Sequence, residues 1–208
     1  MYRQSNCLNT SLRKMLCNSL IQCHFDYACS SWYNGITKQL KNRLQTTQNK
    51  VIRFINKYDC RTSLTVSDYS NLGLLNMENR VKQYKLNHVH NIFYKKCPSY
   101  LHDNFTKLVD IHCHNTTGSF AKFHVPNVNS FNMTSFYYDG IIEWNHLPDS
   151  IKTIERNINL RRRLRDNFLK TWLKRKILYM WYKLLYDIIF CYYYYIIVSL
   201  FITTELYL

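Results

Sequence analysis

The residues best suited to binding a metal are two histidines and a cysteine that stand together. His112, Cys113 and His114 are consecutive, and the nearest other cysteine, Cys97, lies sixteen residues before Cys113. Adjacent side chains cannot readily turn toward one tetrahedral ion without distorting the chain. The eight cysteines of the sequence also include no C-x-x-C pair. The sequence therefore predicts a polar loop here, with no metal site and no cofactor.

A nucleophilic cysteine is the second chemical possibility. A Cys-His hydrolase needs a thiolate that faces a base, and the base must itself be oriented by a third group. Cys23 and His24 are adjacent in the sequence and not facing, and they sit on an apolar stretch. Core packing is the favoured interpretation, and the sequence predicts no catalytic residue. Without a secretory signal we expect an intracellular protein whose cysteines are reduced and mostly fill the core.

Basic residues dominate one later segment of the chain. Between residues 156 and 176 there are nine basic residues and a single acid, Asp166. The basic residues are Arg156, Arg161, Arg162, Arg163, Arg165, Lys170, Lys174, Arg175 and Lys176. Such a face could bind the phosphates of RNA or DNA with salt-dependent, sequence-independent affinity. The alternatives are a solvated helix face or the polybasic flank of a membrane segment.

A turn rich in large side chains stands just before the basic segment. Residues Gly140–Ile151 read G-I-I-E-W-N-H-L-P-D-S-I, and Pro148 excludes helix immediately before it. Trp144 could stack on a nucleic-acid base, as aromatic residues beside basic ones do in single-strand binders. Packing of the turn onto the preceding helices is the favoured interpretation. The turn is then expected to anchor the helix that follows.

The composition restricts the class of protein that could hold these groups. The chain has 208 residues, of which 47% are apolar and 16% aromatic, so it can bury a core and is not a disordered polar chain. Only four glycines and three prolines favour a mostly helical organisation over a turn-rich sandwich. The formal charge of +15 favours acidic partners such as nucleic acid or an anionic membrane.

Apolar residues at helical spacing predict the elements that would position these groups. The first stripe consists of Leu12, Met15, Leu16, Leu20 and Cys23. The second consists of Ile36, Leu40, Leu44, Val51 and Ile55, with basic residues on the outer face. The third consists of Leu74, Met77, Val81, Tyr84, His88 and Ile92, with Asn76 as a possible N-cap and Pro98 after its end. The fourth consists of Leu160, Leu164, Phe168 and Trp172, and its helix should begin near Asn157 or Asn159.

Two segments lack this helical pattern. Between about 105 and 140 small and polar residues surround short apolar runs, which predicts loops with one or two short strands, for example at 123–125 and 135–138. Residues 188–204 are uncharged for 17 residues, which is the short edge of what spans a bilayer. The basic run before them would keep the N-terminus in the cytoplasm. A single-pass membrane protein anchored by this segment is therefore the alternative hypothesis.

Six motifs in the same order give the chain a specific resemblance. They are S-L-I-Q-C-H-F-D-Y-A-C-S-S-W-Y (Ser19–Tyr33), L-Q-T-T-Q-N-K-V-I-R (Leu44–Arg53), L-G-L-L-N-M-E-N-R (Leu72–Arg80), C-P-S-Y-L (Cys97–Leu101), H-C-H-N-T (His112–Thr116), and Gly140, Trp144, Asn145, Leu147, Pro148, Ile151 and Lys152. Together they resemble the region after the catalytic palm in reverse transcriptases of LINE-like (jockey-type, non-LTR) retrotransposons. The fifth motif departs from the family, because Thr117 stands where arginine is usual.

The resemblance covers residues from Leu12 to about Leu173. What it implies about function depends on the parts of the polymerase that this sequence does not contain. Polymerases of this family hold two Mg²⁺ ions with an aspartate pair, and the sequence contains no Asp-Asp pair. It also lacks the endonuclease domain that such elements usually carry ahead of the polymerase. The resemblance therefore implies a catalytically inactive C-terminal remnant, not an enzyme. In the family the post-palm region is expected to help hold template and primer.

These observations combine into one expected architecture, which is mainly α. A thumb-like helical bundle is expected over 11–100, followed by a loop and short-strand connector over 101–152 that ends in the W-N-x-L-P turn. A basic amphipathic helix over 153–186 then leads to an apolar tail helix over 188–204. The expected function is weak, sequence-independent binding of nucleic acid. No small-molecule substrate is evident from the sequence.

Overall fold

The computed structural model describes residues 7–111, 121–129, 133–155, 158–175, 177–179 and 182. Helices predominate throughout this part of the chain, so the prediction of a mainly α fold is confirmed. Within the same residues no strand forms, and a single isolated bridge joins Lys107 and Phe123. The chain divides into two compact units, Met1–Phe168 and Leu169–Leu208.

The first helical segment runs from α1 (Thr10–Cys17) through a π-helical turn (Asn18–Gln22) into α2 (Cys23–Asp26). The side chain of Asn9 starts it by accepting a hydrogen bond from the backbone N–H of Leu12 at 2.8 Å. The predicted helix is confirmed, but its apolar stripe is not its buried face. Cys23 and His24 are exposed, so the interpretation that this pair packs in the core is wrong.

The next two helices begin and end at recognisable caps. Helix α4 (Lys38–Asn56) follows the short α3 (Cys29–Trp32) and ends where Lys57 adopts a left-handed backbone conformation, with φ at 57°. Helix α5 (Val66–Leu72) starts with a capping box, in which Thr65 and Asp68 satisfy each other's backbone N–H groups. Gly73 ends α5 with φ at 66°, a conformation that glycine adopts without strain.

Helix α6 (Met77–Phe93) is the central element of the first unit. Asn76 is its N-cap, as predicted, and its side chain accepts a hydrogen bond from the N–H of Asn79 at 3.1 Å. The helix stops before Pro98, which opens the short α7 (Ser99–His102). Helix α8 (Leu108–Ile111) follows.

The segment expected to contain a strand at 135–138 forms a helix, so that expectation is wrong. Helix α9 (Phe136–Asn145) starts at Ser135, whose hydroxyl accepts a hydrogen bond from the N–H of Tyr138 at 3.3 Å. This cap and the burial of one helical face override the preference of aromatic residues for strands. Helix α10 (Asp149–Lys152) comes next, and residues 158–168, here α11, are helical as predicted. In the second unit residues 169–175 and 177–179 are helical.

The largest apolar cluster of the first unit joins α6 to the elements that follow it. Its buried members are Leu86, Val89, Ile92, Phe93, Phe105, Ala121, Phe123, Ile141, Trp144, Leu147, Ile151, Leu160 and Leu164. A smaller cluster lies near the N-terminal end of α6 and contains Cys29, Tyr33, Met77 and Val81. Gly140 lets α9 approach α6 closely, because a Cβ there would come within 3.0 Å of Val89 Cγ2.

No helix in the described residues is both long and apolar enough to cross a membrane. Residues 188–204, the predicted apolar tail, lie outside the described part of the chain. The six described cysteines are free thiols. The expectation that they mostly fill the core is wrong for this set, because Cys7, Cys23 and Cys60 are exposed.

Candidate nucleic-acid interface

The arginine cluster of α11 lies on the surface of the first unit. Arg161, Arg162 and Arg163 are exposed, and the side chain of Arg165 is 39% exposed. Lys170, Lys174 and Arg175 are also exposed and belong to the second compact unit. Arg156 and Lys176 lie outside the residues whose side chains the structure describes. Four arginines of the segment thus belong to the described part of α11 in the first unit, and together they are here called the arginine face (Arg161, Arg162, Arg163 and Arg165).

The opposite side of α11 fixes this face in place. Leu160 and Leu164 are completely buried in the main cluster, and Phe168 packs against it. Residues three and four positions apart share one side of a helix, so burial of these three leaves the intervening arginines in solvent. The predicted apolar stripe is confirmed for these three residues.

Polar contacts from α6 and the residues just after it hold both the chain before α11 and α11 itself. The Tyr94 hydroxyl donates to the carbonyl of Lys152 at 2.9 Å, and the ring of His90 lies 2.6 Å from the carbonyl of Ile154. The ammonium of Lys96 donates to the carbonyl of Glu155 at 2.7 Å. Within α11, the carbonyl of Arg161 accepts a hydrogen bond from the amide of Gln83, also at 2.7 Å. Helix α6 therefore sets the position of the arginine face.

The Trp144-Asn145 turn is a structural clamp. Trp144 is completely buried, and its indole N–H donates to the carbonyl of Ala121 at 3.0 Å. The side-chain amide of Asn145 pairs with both backbone groups of Phe123, accepting from its N–H at 3.0 Å and donating to its carbonyl at 2.8 Å. Packing of Trp144 is thus confirmed, and stacking of its ring on a base is excluded by burial.

The later residues of the same motif also attach the chain to the core, ahead of α11. Leu147 and Ile151 are buried in the main cluster, and Pro148 precedes the first turn of α10. Lys152 is 1% exposed, and its ammonium donates to the Asp149 carboxylate at 3.2 Å. A buried lysine is tolerated only when its charge is paired in this way. The motif therefore serves to attach the chain before α11 to the core.

A shallow pocket opens beside the arginine face. It is lined by Ile154, Asn159, Arg162, Arg163 and Asp166. Asp166 is the one acid of this surface, and its carboxylate lies 3.5 Å from Nε of Arg165. From the sequence, Asn159 was named only as a possible helix start and Asp166 only as the one acid of the basic segment. The four polar residues of the pocket, Asn159, Arg162, Arg163 and Asp166, stand at i, i+3, i+4 and i+7. This spacing places all four on one side of the helix.

The arginine face also changes the titration of its neighbour on α6. Partial burial lowers the pKa of His88, and the positive charge of Arg161 lowers it further. The imidazole is therefore kept neutral near pH 7, and the positive charge of this surface comes from arginine. Arginines stay charged at every accessible pH and can bind phosphate with two parallel hydrogen bonds.

The two buried thiols, Cys17 and Cys29, are poorly suited to nucleophilic chemistry. Burial raises the pKa of Cys29 to about 11, and burial also raises that of Cys17. A thiolate is the reactive form, so both groups are kept in the unreactive state at neutral pH. His112, Cys113 and His114 lie outside the described residues, within which no cluster of three metal-binding side chains occurs.

Comparison with known proteins gives no match, whether to protein-family models, to curated proteins or to solved structures.

Proposed function

We propose that this chain binds the phosphate backbone of nucleic acid through the arginine face, without sequence preference and without catalysis. The observation that carries the proposal is the run of three exposed arginines, Arg161 to Arg163, on a helix whose other side is buried. A rigidly placed cationic surface binds phosphates at a smaller entropic cost than mobile side chains on a loop.

The parentage we propose is the post-palm region of a LINE-like reverse transcriptase. The six ordered motifs support this origin, and the last of them forms the clamp that attaches the chain leading to α11. We infer no polymerase activity, because the sequence has no Asp-Asp pair to hold the two metal ions of polymerisation. The partner is accordingly RNA or DNA, held as a polyanion.

The test is the affinity of the full chain for short labelled single strands and duplexes, measured by fluorescence anisotropy. If four arginines contact phosphates, affinity for duplex should fall roughly a hundredfold between about 50 and 200 mM salt. The triple variant Arg161→Gln, Arg162→Gln, Arg163→Gln should bind at least about tenfold more weakly at the lower salt concentration.

The matched control removes the same charge from a different surface. Lys38, Arg43 and Arg61 are exposed residues of the first unit outside α11. Their simultaneous change to glutamine lowers the net charge by the same three units and should leave most of the affinity. An equal loss in both triple variants would show that net charge alone attracts nucleic acid, and would reject the arginine face as the site.

A further inference from the structure

The N-terminal helical segment carries its apolar side chains outward. Leu12, Met15 and Leu20 are 42%, 60% and 52% exposed, whereas Arg13 and Gln22 are 3% and 1% exposed. A surface helix of a globular domain normally has the opposite arrangement, with its apolar stripe on the core. We call these three exposed side chains, with the partly buried Leu16 between them, the outer apolar face.

Specific contacts of Arg13 hold α1 in this orientation. Its Nη1 donates to the carbonyl of Phe54 at the end of α4 at 3.1 Å, and its Nη2 donates to the hydroxyl of Thr10 at 3.0 Å. Hydrogen bonds to a buried charged group are expensive to break. Turning the outer apolar face inward would break them and leave a buried guanidinium without partners.

The π-helical turn also helps to keep the apolar side chains of this segment exposed. Met15 and Gln22 are seven residues apart and would share one side of an α-helix, which turns through about 700° over that spacing. The wider π turn at Asn18–Gln22 breaks this register, so Met15 is exposed while Gln22 is buried. Leu20, within the turn, remains on the outside.

The charges around the outer apolar face favour an anionic partner. No acidic residue precedes Asp26 in the sequence, and the Asp26 carboxylate is held by Arg80 at 2.6 Å. Lys14 lies beside Met15 on the same helix, and the chain carries a formal charge of +15. A second copy of the chain would bring two surfaces of like charge together, whereas an anionic surface would be attracted.

We propose that the outer apolar face docks on an anionic lipid bilayer. The helix lies parallel to the membrane plane, with Leu12, Met15 and Leu20 in the acyl boundary and Lys14 near the head groups. Helices of this kind bind through buried apolar area together with attraction to anionic lipid. This site is separate from the arginine face, and the proposal does not depend on nucleic-acid binding.

The test is co-sedimentation of the full chain with vesicles of phosphatidylserine and phosphatidylcholine, compared with phosphatidylcholine alone. We expect binding to the anionic vesicles, and the variant Leu12→Ala, Met15→Ala, Leu20→Ala should bind at least about tenfold more weakly. These substitutions keep the net charge and place alanine, the best helix former, at exposed positions. Far-UV circular dichroism verifies that the helical content is retained.

The matched control replaces Tyr100, Leu101 and Ile111, which are 68%, 37% and 44% exposed, with alanine. It should bind like the original chain. Equal binding by the outer-face variant, or equal binding to neutral vesicles, would overturn the proposal. A third contrary outcome comes from sedimentation velocity without lipid: a dimer that the outer-face variant converts to a monomer would identify a self-association surface instead.

A second measurement reports on the face directly. The single substitution Met15→Trp places an indole at the most exposed of the three positions. Its additional fluorescence, taken as the difference from the original chain, should shift to shorter wavelength and be quenched by lipids brominated along the acyl chain. An unshifted, unquenched difference spectrum would contradict insertion of this side chain.

Discussion

At the scale of single residues, the most unusual side chain is Gln22. It is 1% exposed, and neither its Oε1 nor its Nε2 has a hydrogen-bond partner among the described residues. A buried amide without partners loses its hydration and gains nothing in exchange, at a cost of about 1–3 kcal/mol. Gln22→Met keeps the approximate volume and removes the polar atoms, so we expect the free energy of unfolding to rise by about 1 kcal/mol.

Gln48 provides the matched control for that measurement. It is equally buried, but its Nε2 donates to the carbonyl of Leu75 at 2.7 Å and its Oε1 accepts from the Gln45 amide at 3.2 Å. Gln48→Met should lower the free energy of unfolding by about 1–2 kcal/mol, because the Leu75 carbonyl would lose its donor. Urea denaturation measures both variants. Destabilisation by Gln22→Met would mean that its amide is satisfied in solution.

Residue types alone predicted some of these environments and not others. Asn76 was predicted as an N-cap because a short polar side chain just before an apolar helical stripe can accept a hydrogen bond from the first turn of the helix. The burial of Gln22 was not predictable, because it depends on one extra residue in a helical turn, which leaves no mark in the spacing of apolar residues. Arg13 was missed for a related reason, since its partner, the carbonyl of Phe54, is 41 positions away.

At the scale of elements, a partly buried ion pair joins α6 to α9. The ammonium of Lys85, which is 3% exposed, contacts the carboxylate of Asp139 and also lies 3.4 Å from Oδ1 of Asn34. Removing one partner leaves a buried charge uncompensated, so Asp139→Asn should lower the free energy of unfolding by about 2 kcal/mol. The double variant Lys85→Met, Asp139→Asn should recover most of that loss.

An ion pair with one exposed partner, on the same helix, gives the contrast. Lys82 lies 3.3 Å from Glu78, whose side chain is 60% exposed. Glu78→Gln should change the free energy of unfolding by no more than about 0.5 kcal/mol, because solvent screens this pair. If Asp139→Asn were equally mild in urea denaturation, the Lys85–Asp139 pair would contribute little to the contact between α6 and α9, which Lys82 and Glu143 also join at 3.3 Å.

The contact between α6 and α11 leads to a prediction about pH. Arg161 helps to lower the pKa of His88, so Arg161→Gln should raise it toward its ordinary value. Arg162→Gln, a change of the same charge one position along, should raise it less. A histidine whose pKa is lower in the folded state stabilises the fold above its unfolded pKa, and that contribution is lost as the pH falls through the folded pKa. NMR titration of the His88 ring measures the effect, and equal shifts in both variants would contradict the geometry.

Helical periodicity located the elements well, but it did not identify which face of each is buried. The stripe of α11 is buried as expected at Leu160 and Leu164, whereas the stripe of α1 points outward at Leu12 and Met15. Both patterns look alike in the sequence because periodicity records the amphipathic character of a helix, not the partner of its apolar side. At 135–138 β-propensity was outweighed by the Ser135 cap and by burial in tertiary packing.

At the scale of the whole molecule, two effects could attract nucleic acid: the net charge of +15, and direct contacts of the arginine face with phosphates. The basic segment is evident from the sequence, but only the structure separates the arginine face of the first unit from Lys170, Lys174 and Arg175 of the second. Net charge attracts any polyanion over a distance and speeds association. Direct phosphate contacts, in contrast, release a fixed number of counterions.

The salt dependence of binding distinguishes these two effects. The slope of the logarithm of affinity against the logarithm of salt concentration is about −0.9 per phosphate contact on duplex DNA and about −0.7 on single strands. Changing Arg161, Arg162 and Arg163 to glutamine should therefore make the slope on duplex less steep by roughly 2.7, whereas the Lys38, Arg43, Arg61 variant should leave it nearly unchanged. If both variants shifted the slope equally, the phosphates would contact the molecule diffusely, and α11 would be a solvated helix with no special role.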